Sequence, residues 1–271
     1  MSTKNWILFC VMALLWGAGW SVTKIGLGFV PPFSFSAQQF LLSATILLPF
    51  VMASRGSVPK DRKTLGHIAV YSLINAANIA VTNIGLLYES AGTAAMLTFT
   101  QPLIVYGLSI LFLRKDIRAH KLLGVLIGFL GVSTLSLIGT GGNVAFSSTS
   151  LLIVLGAFLW AVATLYFKAK LEGVNVTVTA AIQQAMGFPV LFVLGQLFEG
   201  FPFPLNVEYY SILLFMSIGP AVLGMTIWLF LLRHEDPTVL STYGFIVPII
   251  ALFFGWWLLG EPVVERSFLA S

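Results

Sequence analysis

Charge is the scarcest property of this sequence. Asp, Glu, Lys and Arg make up 9% of its 271 residues, against 58% hydrophobic ones. A soluble domain carries about 25% charge to cover its surface, so the chain reads as a polytopic membrane protein. Cysteine is nearly absent. Cys10 stands alone inside an apolar run, which excludes an intramolecular disulfide and every cysteine-based metal spacing. His67, His120 and His234 lie beside loop charges at the ends of apolar runs, so no metal site is expected and no cofactor is implied.

Acids are missing from the places where they would carry the most chemistry. No Asp or Glu falls in the middle of any apolar run, which removes the membrane-embedded carboxylate on which a proton-coupled cation exporter depends. Nor does a cluster of Lys and Arg face the interior, as phosphate cargo would require. The cargo of such a protein should be neutral, zwitterionic or lipophilic. The same scarcity argues against an enzyme, because no mid-span His, Asp or Glu is available to activate a Ser or Thr. The net charge of +4 sits in loops, where it sets orientation and does not mark a nucleic-acid surface.

What the chain has in abundance is apolar runs of about 20 residues, the length of a helix that crosses a bilayer. They give nine spans, near 6–28, 33–53, 66–87, 91–113, 119–138, 150–170, 177–198, 209–231 and 238–259. The first is too long for a secretory signal and has no small-x-small cleavage pattern, so it is kept as a span. Short connections make consecutive helices antiparallel neighbours. With the N-terminus in the cytoplasm, twelve basic residues fall inside, including Arg55, the Arg114, Lys115 and Arg118 cluster, and Lys168, and only Lys24 and Arg266 fall outside. That asymmetry sets the orientation.

The sequence also repeats itself. LWGAGWSVTK at Leu15–Lys24 returns as LWAVATLYFK at Leu159–Lys168, an offset of 144; Gln38 and Gln39 return as Gln183 and Gln184 at 145; Pro102 returns as Pro248 at 146. The unit covers five spans. Since five is odd, the second copy enters the membrane from the opposite side, and two inverted halves of this kind are a transporter signature. The expected division is a first repeat over 1–140, an outer linker over 141–149 and a second repeat over 150–271. The second repeat is one helix short. A tenth span would begin near Glu265, and the sequence ends at Ser271, so that helix is either truncated or naturally missing.

At LLWGAGWSVTKIG (Leu14–Gly26), AGTAAMLTFTQPLIVYGLSILFL (Ala91–Leu113) and PTVLSTYGFIVPIIALFFGWWLLGEP (Pro237–Pro262) the chain resembles the EamA-type permeases of the drug/metabolite transporter superfamily. The resemblance implies ten helices in two five-helix halves, a central cavity between them, and export or exchange of amino acids, metabolites or drug-like molecules. One departure is Arg114-Lys115, where the first half of many relatives has Gly-Glu.

Polar residues inside spans are costly and face a bundle interior or a wet cavity. Tyr71, Asn75, Asn78 and Thr82 recur on one helical stripe of the third span, as interhelical hydrogen-bonding groups or as cavity lining. The equivalent stripe of the eighth span is Ser217, Ala221, Gly224 and Trp228, small and aromatic where the first is polar. Trp16, Trp20 and Trp160 sit away from the interfacial belt expected for Trp6, Trp256 and Trp257, as core packing or as an apolar stacking wall together with Phe99, Tyr106 and Tyr243. Thr98, Gln101 and Thr164 add polar candidates. Pro102 and Pro248 lie mid-helix and should break the ladder at the carbonyls of Thr98 and Gly244, as hinges or as fixed kinks.

Two charge pairs keep the repeat register. Lys24 with Glu89 is expected as an outer gate and Lys168 with Glu235 as an inner one, the alternative being lysines that snorkel and acids that are solvated. The function expected is a transporter of small organic molecules working by alternating access, in the direction of export. A flippase for lipids or lipid-linked intermediates is the first alternative and an intramembrane enzyme the second. The partners expected are the small-molecule cargo and the lipid bilayer of a bacterial or archaeal inner membrane; the oligomeric state is left open.

Overall fold

The computed structural model describes residues 1–54, 57–113, 119–139 and 148–261. Arg55, the Arg114, Lys115 and Arg118 cluster, residues 141–147 of the expected linker, Pro262, and the segment holding Glu265 and Arg266 lie outside the described residues. Among the described residues every regular element is helical. The first half holds α1 (Thr3–Leu27), α2 (Pro32–Ala53), α3 (Arg62–Tyr88), α4 (Ala91–Thr98), α5 (Gln101–Leu113) and α6 (Ala119–Gly139). The second half holds α7 (Ser148–Lys170), α8 (Val176–Glu199), α9 (Val207–Met216), a π-helical segment (Ser217–Gly224), α10 (Met225–His234), α11 (Pro237–Tyr243) and α12 (Ile246–Leu259). Eight stretches have the length and hydropathy of a membrane span, and α6 contains a shorter apolar stretch, Leu122–Gly131. Each of the eight coincides with an expected span to within four residues.

The halves are inverted. The C-terminal ends of α1 and α3 meet the start of α7 where Lys24 bonds the Glu89 main chain and Ser150 donates to the Glu89 carboxylate at 2.5 Å. At the other face the start of α1 meets the end of α10, through Asn5 and Glu235 at 3.1 Å, and Lys168 at the end of α7 reaches the same helix end. Helices α1 and α7, the two copies of the repeated segment, therefore run in opposite directions. Packing follows the same pseudo-two-fold relation: α1 lies on α12 as α7 lies on α5, and α2 packs along α8 across the axis.

Both expected proline breaks are present. The fourth span is interrupted between Thr98 and Gln101, and the ninth between Tyr243 and Ile246. Pro102 and Pro248 have no N–H to give to the carbonyl four residues back. At the second break Gly244 O instead accepts from Val247 N at 2.8 Å, a tighter i to i+3 bond.

The eighth span breaks the symmetry. Asp61 and Asn206 are the N-caps of the third and eighth spans, 145 apart, while Glu89 and Glu235 are their C-caps, 146 apart. One additional residue thus lies between equivalent caps, and the π-helical segment is where the eighth span takes it up, since a π turn accommodates one residue more than an α turn. The third span remains a continuous α-helix.

Helix starts show a second asymmetry. Ser2, Asp61, Asn175 and Asp236 cap α1, α3, α8 and α11 with their own side chains. Helix α2 starts at Pro32 with no side-chain cap from its own Pro31. Glu199, at the end of α8, fills that role: its carboxylate accepts from Phe33 N at 2.9 Å, Ser34 N at 2.7 Å and Ser34 Oγ at 2.7 Å. Helix α4 has its own cap, Ser90, which accepts from Thr93 N, and Glu261 adds to it by accepting from Ala91 N at 2.8 Å and Gly92 N at 3.3 Å. It can do so because Gly260 takes a left-handed φ of 66° at the end of α12, and Glu261 N closes back on Gly255 O at 3.1 Å.

Candidate functional site

Repeat-equivalent residues that touch each other must lie at the pseudo-two-fold axis. Two aromatic pairs do so. Trp16 and Trp160 meet edge to face with centroids 5.4 Å apart, and Phe99 meets Phe245 at 6.3 Å. The phenylalanines sit at the two helix breaks, and the Phe99 ring occupies the space that a side chain at Gly244 would need. The breaks of the two halves therefore face each other across the axis.

Beside these pairs lies a cavity of about 170 Å³. One wall is aromatic, built from Trp16, Trp20, Phe99 and Trp160. The other is polar, with Asn75, Asn78, Thr82 and Asn83 of α3, Gln39 of α2, Gln183 and Gln184 of α8, and Thr98 at the end of α4. Met216, Pro220 and Ala221 bring the π-helical segment to the lining, and Val247 brings the start of α12. No lining residue is charged, and among the described residues no group of His, Cys, Asp or Glu could hold a metal ion.

Local bonding positions these side chains. Asn75 donates to Tyr71 O at 2.9 Å and the Thr82 hydroxyl to Asn78 Oδ1 at 3.3 Å, which fixes the stripe on α3. Gly156 of α7 leaves room for the Thr82 hydroxyl, which a methyl group there would meet. The Trp16 indole N–H donates to Pro220 O at 3.2 Å and its ring fills the gap beside Gly224. Pro220 has no N–H, and the Met216 carbonyl four residues back is taken by Gln39 Nε2 at 3.1 Å.

Of the eleven expected binding residues, Trp16, Trp20, Asn75, Asn78, Thr82, Thr98 and Trp160 line the cavity. Trp228 stands behind it, 5.5 Å from Trp16 and 5.6 Å from Trp160. Gln101 and Thr164 are buried in a weak contact with each other at 3.5 Å and do not reach the lining. Tyr243 is elsewhere, stacked on Trp6 at 4.9 Å and against Phe9 at 6.2 Å near the start of α1. Gln39, Asn83, Gln183 and Gln184 are lining residues that the sequence reading did not select, although paired amides within a span were signal enough.

The residues of the two charge pairs lie at opposite faces, each pair at the end of a third span. Lys168 Nζ reaches the carbonyls of Leu232 and Arg233, each at 3.1 Å, and the Glu172 carboxylate at 2.6 Å, while Glu235 accepts from Asn5 and lies 4.0 Å from the N-terminal ammonium. Lys24 likewise donates to the main-chain oxygen of Glu89. Each lysine thus caps the C-terminal end of the third span of its own half. Open carbonyls and the negative end of a helix attract a cation there.

The chain matches the EamA-like transporter family over residues 4–137 and again over 147–271, one match for each half. It is similar to the uncharacterized transporter YvbV of Bacillus subtilis, 28% identical over 264 residues that cover 96% of this chain and 86% of that one. An uncharacterized transporter of Acidianus ambivalens is 31% identical over 218 residues, 80% of this chain and 81% of its own. The uncharacterized inner membrane transporter YedA of Escherichia coli is 24% identical over 264 residues, 95% of this chain and 83% of its own. A solved crystal structure, 18% identical, superimposes with a TM-score of 0.78 over 96% of this chain and 90% of its own, a likeness of fold.

Proposed function

Because the chain belongs to the EamA-like transporter family, we propose that it carries small neutral or zwitterionic organic molecules through the cavity at the seam of its two halves. Amino acids, related metabolites and amphipathic drugs are the cargo classes. Alternating access of that cavity to the two faces is the mechanism, with 1–140 and 150–271 as the moving bodies, 141–149 as their linker and the breaks before Pro102 and Pro248 as hinges. The N-terminus lies in the cytoplasm of a bacterial or archaeal cell, and net movement is export.

The observation that carries this reading is the absence of any charged residue from a cavity with one aromatic and one amide-rich wall. A fully ionic cargo would lose its hydration shell there with no opposite charge to replace it. A molecule with a flat apolar part and a polar end fits both walls. The test is reconstitution into liposomes followed by counterflow with a panel of amino acids and amphipathic drugs. Saturable uptake that depends on unlabelled cargo inside supports the proposal. Uptake no greater than in protein-free liposomes across the panel overturns it.

A further inference from the structure

The glutamine pairs are duplicated in sequence and unequal in structure. Gln38 accepts from the Tyr209 hydroxyl at 2.8 Å and donates to Pro202 O at 2.9 Å, and Gln39 donates to Met216 O. The protein itself uses this pair. Their counterparts Gln183 and Gln184 are buried, 1% and 2% exposed, and line the cavity. Their Oε1 atoms have no hydrogen-bond partner, and neither has the hydroxyl of Thr98, which lines the same cavity. An orphaned amide in a dry site is costly, so a native protein that keeps two of them side by side has a use for them.

Resting on the transport reading above, we infer that Gln183 and Gln184 are cargo-binding residues that select a polar end bearing hydrogen-bond donors. An ammonium, a primary amide or a hydroxyl group meets the unpartnered acceptors, while the rest of the cargo lies against Trp16 and Trp160. The cavity offers no carboxylate to bind an ammonium by charge alone. Donor number, and not net charge, is then what the site reads, since a site built around hydrogen bonds rejects an analogue that cannot make them.

Matched probes separate the two. L-phenylalanine, L-leucine and L-glutamine each have an N,N,N-trimethyl counterpart with the same charge and side chain and no ammonium donor. In liposome counterflow the parent protein should exchange the free amino acids in preference to their trimethyl forms. Gln183→Leu and Gln184→Leu should raise half-saturation for the free forms roughly tenfold, the scale of one lost hydrogen bond, and erase the preference. Gln38→Leu should lower the melting temperature and leave the preference intact. Quenching of tryptophan fluorescence by the same probes gives a binding readout that does not need turnover. If the parent exchanges the free amino acids and the Gln183 and Gln184 variants keep its half-saturation and preference, the glutamine inference fails while the transport reading stands. If the parent neither exchanges nor binds any probe, both fail.

Discussion

Replacing Glu199 with Ala tests how the second half holds the first. Pro32 has no N–H, and Phe35 N opens the ladder of α2 by bonding Pro31 O at 2.9 Å, so Phe33 N and Ser34 N are the donors left over at this helix start. Glu199 takes both, and the Ser34 hydroxyl as well. Hydrogen bonds to a charged acceptor contribute about 1.5–3 kcal/mol each when buried, and a lost N-cap costs roughly 0.5–2 kcal/mol. Glu199 is only partly buried and the three bonds share one carboxylate, so the sum is discounted to about 3 kcal/mol for Glu199→Ala. At roughly 2–4 °C per kcal/mol for a chain near this size, the midpoint should fall by about 6–12 °C. Glu199→Gln keeps one acceptor oxygen and loses the charge, and about 1 kcal/mol is expected. Detergent-purified variants melted under intrinsic tryptophan fluorescence give both numbers. Glu235→Ala is the comparison, since Glu235 makes one amide hydrogen bond at 3.1 Å and one long ion-pair contact at 4.0 Å, and about 1 kcal/mol is expected for the single hydrogen bond. A Glu199→Ala midpoint within one or two degrees of the parent, or equal to that of Glu235→Ala, would refute the reasoning.

Further outcomes follow from the cavity walls and the caps. Trp16→Ala removes the bond to Pro220 O and the ring between Trp160 and Trp228; about 2 kcal/mol of stability should go, less than for a fully enclosed ring because the site already opens on a cavity, and counterflow should weaken together with the melting temperature. Gly156→Ala drives a methyl group into the Thr82 hydroxyl and should destabilise by about 1–3 kcal/mol. Adding Thr82→Ala should restore most of that loss, and two additive effects in the melting temperatures would show that the helices do not meet there. Asp61 caps α3 through Thr64 N at 2.7 Å, and that bond holds its carboxyl below the usual range. A lowered folded-state value means stability that is complete above the unfolded carboxyl's titration and lost as pH falls through the folded one. Amide exchange at Thr64 should therefore lose protection in acid in the parent, while Asp61→Asn shows no such step.

The spans, the duplication and both helix breaks were legible because each rests on local chemistry: run length, residue register and a missing proline N–H. The aromatic wall was legible for the same reason, since tryptophans placed away from the helix ends stand out against an interfacial norm. Less was legible where the deciding group was main chain from a distant helix. Lys168 and Glu235 hold matching positions in the repeat, so an ion pair is the natural reading from side chains alone. The structure gives Lys168 the carbonyls of Leu232 and Arg233 instead, and helix-end carbonyls leave no mark in a sequence. Gln183 and Gln184 were visible as repeat markers. Their difference from Gln38 and Gln39 turns on Tyr209, Pro202 and Met216, which enter from other elements. Even the step in offset from 145 to 146 was on the page, and only the caps of the third and eighth spans assign it to a π turn.

The bonds that cross the seam are not shared equally between the two faces. At the face where α2 and α4 begin, two carboxylates of the second half, Glu199 and Glu261, sit on helix N-termini of the first, and Ser150 of the second half donates to Glu89. At the opposite face α3, α8 and α11 begin on caps of their own, and Glu235 crosses to the start of α1 through Asn5 and a 4.0 Å ion pair. Parting the halves at the first face exposes the start of α2, which has no cap of its own, and strips two acids of charge-assisted bonds. Parting them at the second breaks one amide bond and one long ion-pair contact. The duplicated halves thus build a molecule whose two ends are unequal in strength, and the inequality is written in two acids, Glu199 and Glu261, that come from one half alone.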